Sequence, residues 1–295
     1  MARAAISTVA DLLATGRPLA LPGVHDALAA RLAAEAGFEA IFLSGYGFAA
    51  THLGQPDFGL TTGAEVLDAA RRVVAAVDRR VIVDVDTGYG GPFNVEHTVD
   101  ALLRAGAAGC FLEDQVWPKR CGHMERKRVL PLDEYLPKLR AALQTRAGTG
   151  FHVTARTDAR GAVGLDEAIR RARAFADAGA DAVFVEAPES IDEMARIREA
   201  VPANVTLVAN MVDGGKTPLR TLAELGAAGY RIVVFPIDAL VAATRAMRDV
   251  FAALRRDGST RAVADRLLPF AEMNRLLGVE ERYRREREWL DPLDR

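Results

Sequence analysis

Cysteine is nearly missing from this chain: there are two in 295 residues, Cys110 and Cys121. So few thiols argue against a disulfide framework. Long hydrophobic runs are missing too. No apolar span reaches the roughly eighteen residues of a membrane-crossing helix, so no membrane partner is expected. The first residues include Arg3 and alanines but no signal-peptide core, and a cytoplasmic location is the expectation. Neither sign of charge dominates: 38 Lys and Arg stand against 40 Asp and Glu, a net charge of −2. That balance gives no electrostatic case for nucleic acid or an anionic membrane. Arg282 to Arg287 look basic, but glutamates are mixed in, as on a solvated helix face. No Gly-x-Gly-x-x-Gly follows the first strand-like run, so a dinucleotide fold has no support.

What is present is apolar. Hydrophobic residues make up 50% of the chain, enough for a large core, and the length suits one α/β barrel. Eight short apolar runs read as strands: 19–24, 40–44, 81–86, 109–114, 151–157, 182–186, 206–210 and 231–235. Most are continuously apolar, as parallel strands covered by helices are. Between them, Ala, Leu, Arg and Glu recur at helical spacing over 27–36, 65–77, 95–104, 132–145, 166–178, 192–201 and 219–225. Helix-to-strand joints repeat one phrase, as in Ala36-Gly37-Phe38, Ala105-Gly106-Ala107, Ala178-Gly179-Ala180 and Leu225-Gly226-Ala227, where glycine would cap the helix in the left-handed region. Eight such units predict a single (β/α)8 TIM-barrel domain over 1–295. The tail over 259–295 is helical, and its Phe270, Met273, Leu276 and Leu277 call for a partner surface.

In a barrel of this kind, chemistry sits where strands end. Polar groups collect there: Ser44 and Gly45, Asp84 and Asp86, Glu113 and Asp114, Arg156 and Asp158, Glu186, and Asn210. Asp84 and Asp86, two apart on an extended strand, would point the same way. Two close carboxylates repel unless a cation is near, and hard oxygen donors without a His or Cys cluster suggest Mg²⁺, with Glu113 as a third ligand. The same pair could instead cap the next helix. Asp57 could be a turn residue, and Arg156 with Glu186 a structural ion pair. An Arg at a barrel mouth can equally grip a carboxylate bidentately.

Lys119-Arg120-Cys121-Gly122-His123 concentrates two bases, a thiol and a chain-turning glycine. Flanking cations predict a lowered thiol pKa and a group able to move protons or attack carbon. Few apolar anchors hold this segment, so a loop that stands open and closes over ligand, with Gly122 as pivot, is expected. Cys110, inside an apolar run, is expected to be a buried small hydrophobe.

In order and spacing, Ser44-Gly45, Gln55-Pro56-Asp57, Asp84-x-Asp86-Thr-Gly, Glu113-Asp114, Lys119-Arg120-Cys121-Gly122-His123, Arg156-Thr157-Asp158, Glu186-Ala187-Pro188 and Asn210-Met211 resemble the isocitrate lyase/phosphoenolpyruvate mutase superfamily. The resemblance runs from Leu21 to about Leu277. It implies a TIM barrel that binds Mg²⁺, with Mn²⁺ able to replace it, and a small 2-hydroxy or 2-oxo acid. It also implies a homotetramer, a dimer of dimers whose paired subunits exchange the last barrel helix. The cysteine loop is similar to that of the carbon–carbon lyase branch. Gly214-Gly215-Lys216-Thr217-Pro218 and Phe42 are more similar to dimethylmalate and 2-alkylmalate lyases than to 2-methylisocitrate lyases. The alternatives within the superfamily are phosphonopyruvate or carboxyphosphonoenolpyruvate mutases and oxaloacetate hydrolases or decarboxylases. On the lyase reading, Asp84, Asp86 and Glu113 hold the metal. Ser44, Gly45, Asp57, Gly122, Arg156 and Asn210 bind substrate. Lys119, His123 and Arg156 offset developing negative charge, Cys121 donates a proton to carbon, and Glu113 and Glu186 are candidate bases.

Overall fold

The computed structural model describes residues 8–290. Eight parallel strands close into a barrel in sequence order, with β8 pairing back onto β1. They are β1 (Leu19–Val24), β2 (Ala40–Leu43), β3 (Arg80–Asp84), β4 (Gly109–Glu113), β5 (His152–Thr157), β6 (Ala182–Val185), β7 (Thr206–Asn210) and β8 (Tyr230–Phe235). All eight expected strands are present, each within two residues of its predicted limits. Around them run α1 (Val9–Ala14), α2 (Ala27–Glu35), α3 (Gly45–His52), α4 (Gly63–Ala76), α5 (Pro92–Ala105), α6 (Leu132–Thr145), α7 (Ala159–Ala162), α8 (Leu165–Asp177), α9 (Ile191–Ala200) and α10 (Leu222–Ala227). Helices α1, α3 and α7 lie outside the predicted helical segments; they are short, at six, eight and four residues, and present little periodicity to read.

The strands are apolar on both faces because both are buried. Phe42, Ile82, Phe111, Phe184, Val208 and Ile232 fill the barrel interior. Their neighbours Ile41, Val81, Val83, Leu112 and Val183 face the helices. This is the parallel-sheet pattern in which alternation gives way to a continuous apolar run. The aromatic rings of Phe42, Phe111 and Phe184 form a layer inside the barrel, with centroids 4.8 Å and 5.9 Å apart. The left-handed caps fall at Gly37, Gly106 and Gly179 as expected. At the fourth joint the chain differs: Gly226 lies inside α10, and the left-handed residue is Gly229.

The chain divides into two compact units, one up to Leu240 and one from Val241. The division falls earlier than the expected tail start at 259, within α11 (Asp238–Asp257). The second unit comprises most of α11, a 3-10 turn at Arg261–Arg266, α12 (Phe270–Leu277) and α13 (Val279–Leu290). Among the described residues, no helix is long and apolar enough to cross a membrane.

Candidate active site

The C-terminal strand ends open into a cavity of about 220 Å³, whose wall includes Ser44, Asp57, Asp84, Cys121, Arg156 and Glu186. Phe111 and Phe184 of the interior layer also line it. Ser44 ends the β2 connection and caps α3, its hydroxyl accepting from the Gly47 N–H at 3.2 Å. Asp84 is the last residue of β3, and Arg156 lies near the end of β5. Glu186 follows β6 directly, and Asn210 ends β7. Asp57 comes from the segment between α3 and α4, and the cysteine loop from the long connection between β4 and α6.

The acids converge, though not by strand alternation. Asp86 lies beyond β3 in the left-handed region, at φ 50°, and its N–H donates to Asp84 Oδ1 at 3.2 Å. Both carboxylates crowd Gly45: a Cβ there would stand 2.9 Å from Asp84 Oδ2 and 3.4 Å from Asp86 Oδ1. Only glycine lets the backbone pass this close. Burial pushes the Asp86 carboxyl up to about 7, against the pull of Lys119. Lys119 is 2% exposed and lies 2.7 Å from Asp57 Oδ2 and 2.5 Å from Asp86 Oδ1. Burial opposes its charge, yet Asp86 and Asp57 hold its pKa well above the ordinary value. Lys119 therefore balances the acid cluster and is not part of the cavity wall.

The donor set fits a hydrated Mg²⁺. Glu113 Oε1 is buried without a hydrogen-bond donor, while Glu113 Oε2 and Asp86 Oδ1 have only the ion-pair contacts of Arg156 and Lys119. Among the described residues no three His, Cys, Asp or Glu side chains are placed to hold a metal ion together, so the expected set of Asp84, Asp86 and Glu113 does not form a complete site by itself. Mg²⁺ is commonly held by one or two carboxylates with water and substrate oxygens completing its shell, so an open set of carboxylates suits it.

Arg156 is the hub of the opposite wall. Asp158 accepts from its Nε at 2.9 Å and from its Nη2 at 3.1 Å. Glu113 and Glu186 each lie 3.3 Å from its outer nitrogens. Burial acts against the Glu186 charge, but Arg156 and His123 hold the carboxyl down at about 2. Burial pushes Glu113 well above the carboxylate range despite Arg156. Glu186 lines the cavity, and Glu113 lies behind it. Asn210 Nδ2 donates to both Glu186 oxygens at 3.3 Å. The Lys216 N–H donates to His123 Nδ1 at 3.0 Å, so a neutral imidazole must carry its proton on Nε2, 3.3 Å from Glu186 Oε1.

The thiol differs from its sequence expectation. Burial pushes the Cys121 pKa up to about 11, although the His123 backbone N–H pulls the other way. Lys119 also pulls it down, but burial outweighs that pull: Lys119 is engaged by two acids, and Arg120 lies over the Phe58 ring at 5.4 Å. Cys121 is thus a neutral thiol. Cys110 is fully buried, and burial pushes its pKa up to about 12.

The loop carrying Cys121 lies closed instead of open. Its anchors are polar. The Cys121 N–H donates to Asp57 O at 3.1 Å, and the Gln115 side chain bridges both backbone groups of Arg120. Gly122 is not a pivot in the left-handed region. It is a close-approach residue: a Cβ there would stand 2.5 Å from both Arg156 Nη2 and Glu186 Cδ. Sequence reasoning missed Tyr46, Val212, Pro236 and Ile237 on the cavity wall, and Lys127 beneath the loop. Ordinary apolar residues after strands carry no local signal of function, and Lys127 sits in a charged run that reads as solvated.

The family model described as phosphoenolpyruvate phosphomutase matches residues 9–255. The chain is 45% identical over 271 residues to 2,3-dimethylmalate lyase of Eubacterium barkeri, covering 92% of this chain and 93% of that one. It is 42% identical over 243 residues to 2-methylisocitrate lyase of Bacillus subtilis, covering 82% and 79%. A solved structure of phosphonopyruvate hydrolase in complex with oxalate and Mg²⁺ is similar at TM-score 0.83 and 33% identity, covering 94% and 95%.

Proposed function

Because the chain belongs to the phosphoenolpyruvate mutase/isocitrate lyase superfamily, we propose that it is a Mg²⁺-dependent carbon–carbon lyase, with Mn²⁺ able to substitute. Its substrate is a 2-hydroxy dicarboxylate bearing alkyl groups, of the 2-alkylmalate or dimethylmalate type, cleaved to a 2-oxo acid such as pyruvate and a carboxylate. The observation that carries this reading is Cys121 and Arg156 on the wall of one cavity, where burial favours the neutral form of the thiol. A thiol kept protonated is suited to give a proton to carbon, and unsuited to attack it.

Bound near Asp84, Asp86 and Glu113, Mg²⁺ would supply positive charge to the hydroxyl and carboxylate oxygens of the 2-oxo acid half. Arg156, oriented by Asp158, receives the other carboxylate. As the C2–C3 bond breaks, the 2-hydroxyl proton passes to a base, for which the ionised Glu186 on the wall is the candidate, and the bonding pair is left on that fragment as a carboxylate enolate. Arg156 and His123, both on the cavity wall, are assigned to offset this charge. Cys121 delivers its proton to the enolate carbon under the closed loop, which excludes competing water. Phe42, Val212, Pro236 and Ile237 form an apolar wall that accepts alkyl substituents. Arg156 is the only Arg or Lys on the wall among the described residues, which disfavours a tricarboxylate such as 2-methylisocitrate. The assembly proposed is a homotetramer, with α11 and the following helices at its contacts.

The test is a 2-oxo-acid-coupled assay with Mg²⁺ over 2,3-dimethylmalate, citramalate, 2-methylisocitrate and isocitrate, beside oxaloacetate and phosphonopyruvate. A substituted malate should be the best substrate, with activity lost in excess chelator. Turnover of oxaloacetate or phosphonopyruvate alone would replace the lyase with a hydrolase or mutase. Full activity in chelator would remove the metal assignment.

A further inference from the structure

Lys127 has no part in the chemistry above, yet it is only 6% exposed. It belongs to the loop that carries Cys121 and lies in the charged run Glu125-Arg126-Lys127-Arg128. Its ammonium turns inward, donating to the Gly122 carbonyl and, at 2.9 Å, to Asp158 Oδ1. Asp158 is fully buried, and the same carboxylate orients Arg156 through two hydrogen bonds. Gly161 of α7 provides the floor: a Cβ there would stand 3.1 Å from Lys127 Cε. One carboxylate thus holds the loop and the guanidinium together.

We infer that Lys127 is a positioning residue: it latches the loop shut through the Gly122 carbonyl and, by sharing Asp158 with Arg156, couples loop closure to the orientation of Arg156. Opening the loop withdraws Lys127 and leaves Asp158 with Arg156 alone. Substrate that needs Arg156 held in place therefore favours the closed loop, and closure in turn favours substrate, because the coupling is reciprocal. A latch of this kind also explains how a loop with few apolar anchors lies closed: buried charge-assisted hydrogen bonds are the strong ones.

The inference rests on the reading of Cys121 and Arg156 as parts of one site, but its main test needs no turnover. In the full chain, the rate at which iodoacetamide alkylates Cys121 reports loop opening, with buried Cys110 as internal reference. Lys127→Met should be alkylated at Cys121 about tenfold faster or more, the shift expected when a closed population loses its latch. Removing a nearby cation cannot speed alkylation by lowering the thiol pKa, so acceleration reports opening. Binding of oxalate with Mg²⁺ should weaken in parallel. On any accepted substrate, KM should rise more than kcat falls, and Lys127→Arg should restore both most of the way. If Lys127→Met fails to fold, Lys127→Gln, which lacks the charge for Asp158, is read by the same criteria. A folded Lys127→Met or Lys127→Gln protein with wild-type alkylation and oxalate binding overturns the latch. Lack of lyase activity in the wild type overturns the functional reading and leaves the alkylation result standing.

Discussion

The chemistry of Cys121 depends on its surroundings more than on its sequence neighbours. Lys119 and Arg120 flank it, but the first is engaged by Asp57 and Asp86 and the second lies over Phe58. Burial then decides, and the pKa goes up to about 11. The sign is definite: the thiol is neutral across physiological pH, and its thiolate fraction rises with pH until about 11. Alkylation of Cys121 should therefore still be climbing about tenfold per pH unit at pH 9, where an ordinary cysteine of pKa ~8.5 is levelling off. A rate already flat by pH 8 would contradict the buried-thiol account. Cys121→Ser should bind oxo acid and metal nearly normally while kcat falls by about 10²–10⁴, the usual worth of a general acid. Wild-type kcat in that variant would remove the proton-donor role. Gly122→Ala puts a methyl against Glu186 and Arg156, so the loop cannot close as observed. Its kcat/KM should fall about 10²-fold, as misplacing a site by ~1 Å does, with an unchanged far-UV spectrum.

Two elements behind the site carry stability more than catalysis. Asp114, just past β4, accepts from the Thr157 hydroxyl at 2.7 Å, the Asp158 N–H at 2.9 Å and Arg171 Nη1 at 2.9 Å. It ties β4, β5 and α8 into one corner. Asp114→Ala would leave Arg171, which is 4% exposed, with Glu167 alone and remove the acceptor of the Asp158 N–H, and should destabilise the fold by about 1–3 kcal/mol, read from a denaturation midpoint. On β5, burial depresses the His152 pKa to about 4 from an ordinary 6.5. Above 6.5 both folded and unfolded states hold it neutral, and it makes no pH-dependent contribution. Between 6.5 and 4 the unfolded state binds the extra proton, so stability falls as pH falls. The loss from this one group is about 2 kcal/mol at pH 5. His152→Gln should flatten the decline in unfolding free energy between pH 7 and 5. An unchanged slope would show that other groups dominate.

At the scale of the molecule, the unit from Val241 on is rich in exposed apolar side chains. On α11, Met247, Phe251 and Leu254 are 49%, 64% and 43% exposed, at spacings that share one helix face. Phe270 is 81% exposed and Trp289 65%. These exposed side chains are what supports the proposed assembly. Sedimentation or light scattering at micromolar chain should give an oligomeric mass, with four copies as the expected number. Phe251→Asp should shift the population toward smaller species. A monomeric mass for the intact chain would remove the proposed assembly.

The barrel, and the places where polar groups would gather, follow from local signals along the chain. Apolar runs, helical periodicity and glycine joints are short-range signals, and a strand end is located once its strand is known. That is why Ser44, Asp84, Glu113, Arg156, Glu186 and Asn210 were legible at their tips. Tertiary structure decided what each touches. Asp114 and Asp158 also lie just past strand ends, yet Asp114 ties the scaffold and Asp158 joins Arg156 to the loop, because their partners Arg171 and Lys127 arrive from elsewhere in the chain. Lys119 faces two acids from distant segments, and the His123 tautomer is set by the backbone of Lys216. The protonation of Cys121 follows from its desolvation where the closed loop packs against the site. Desolvation and ion pairing depend on everything within a few ångströms in space, and neighbours along the chain are only a small part of that environment.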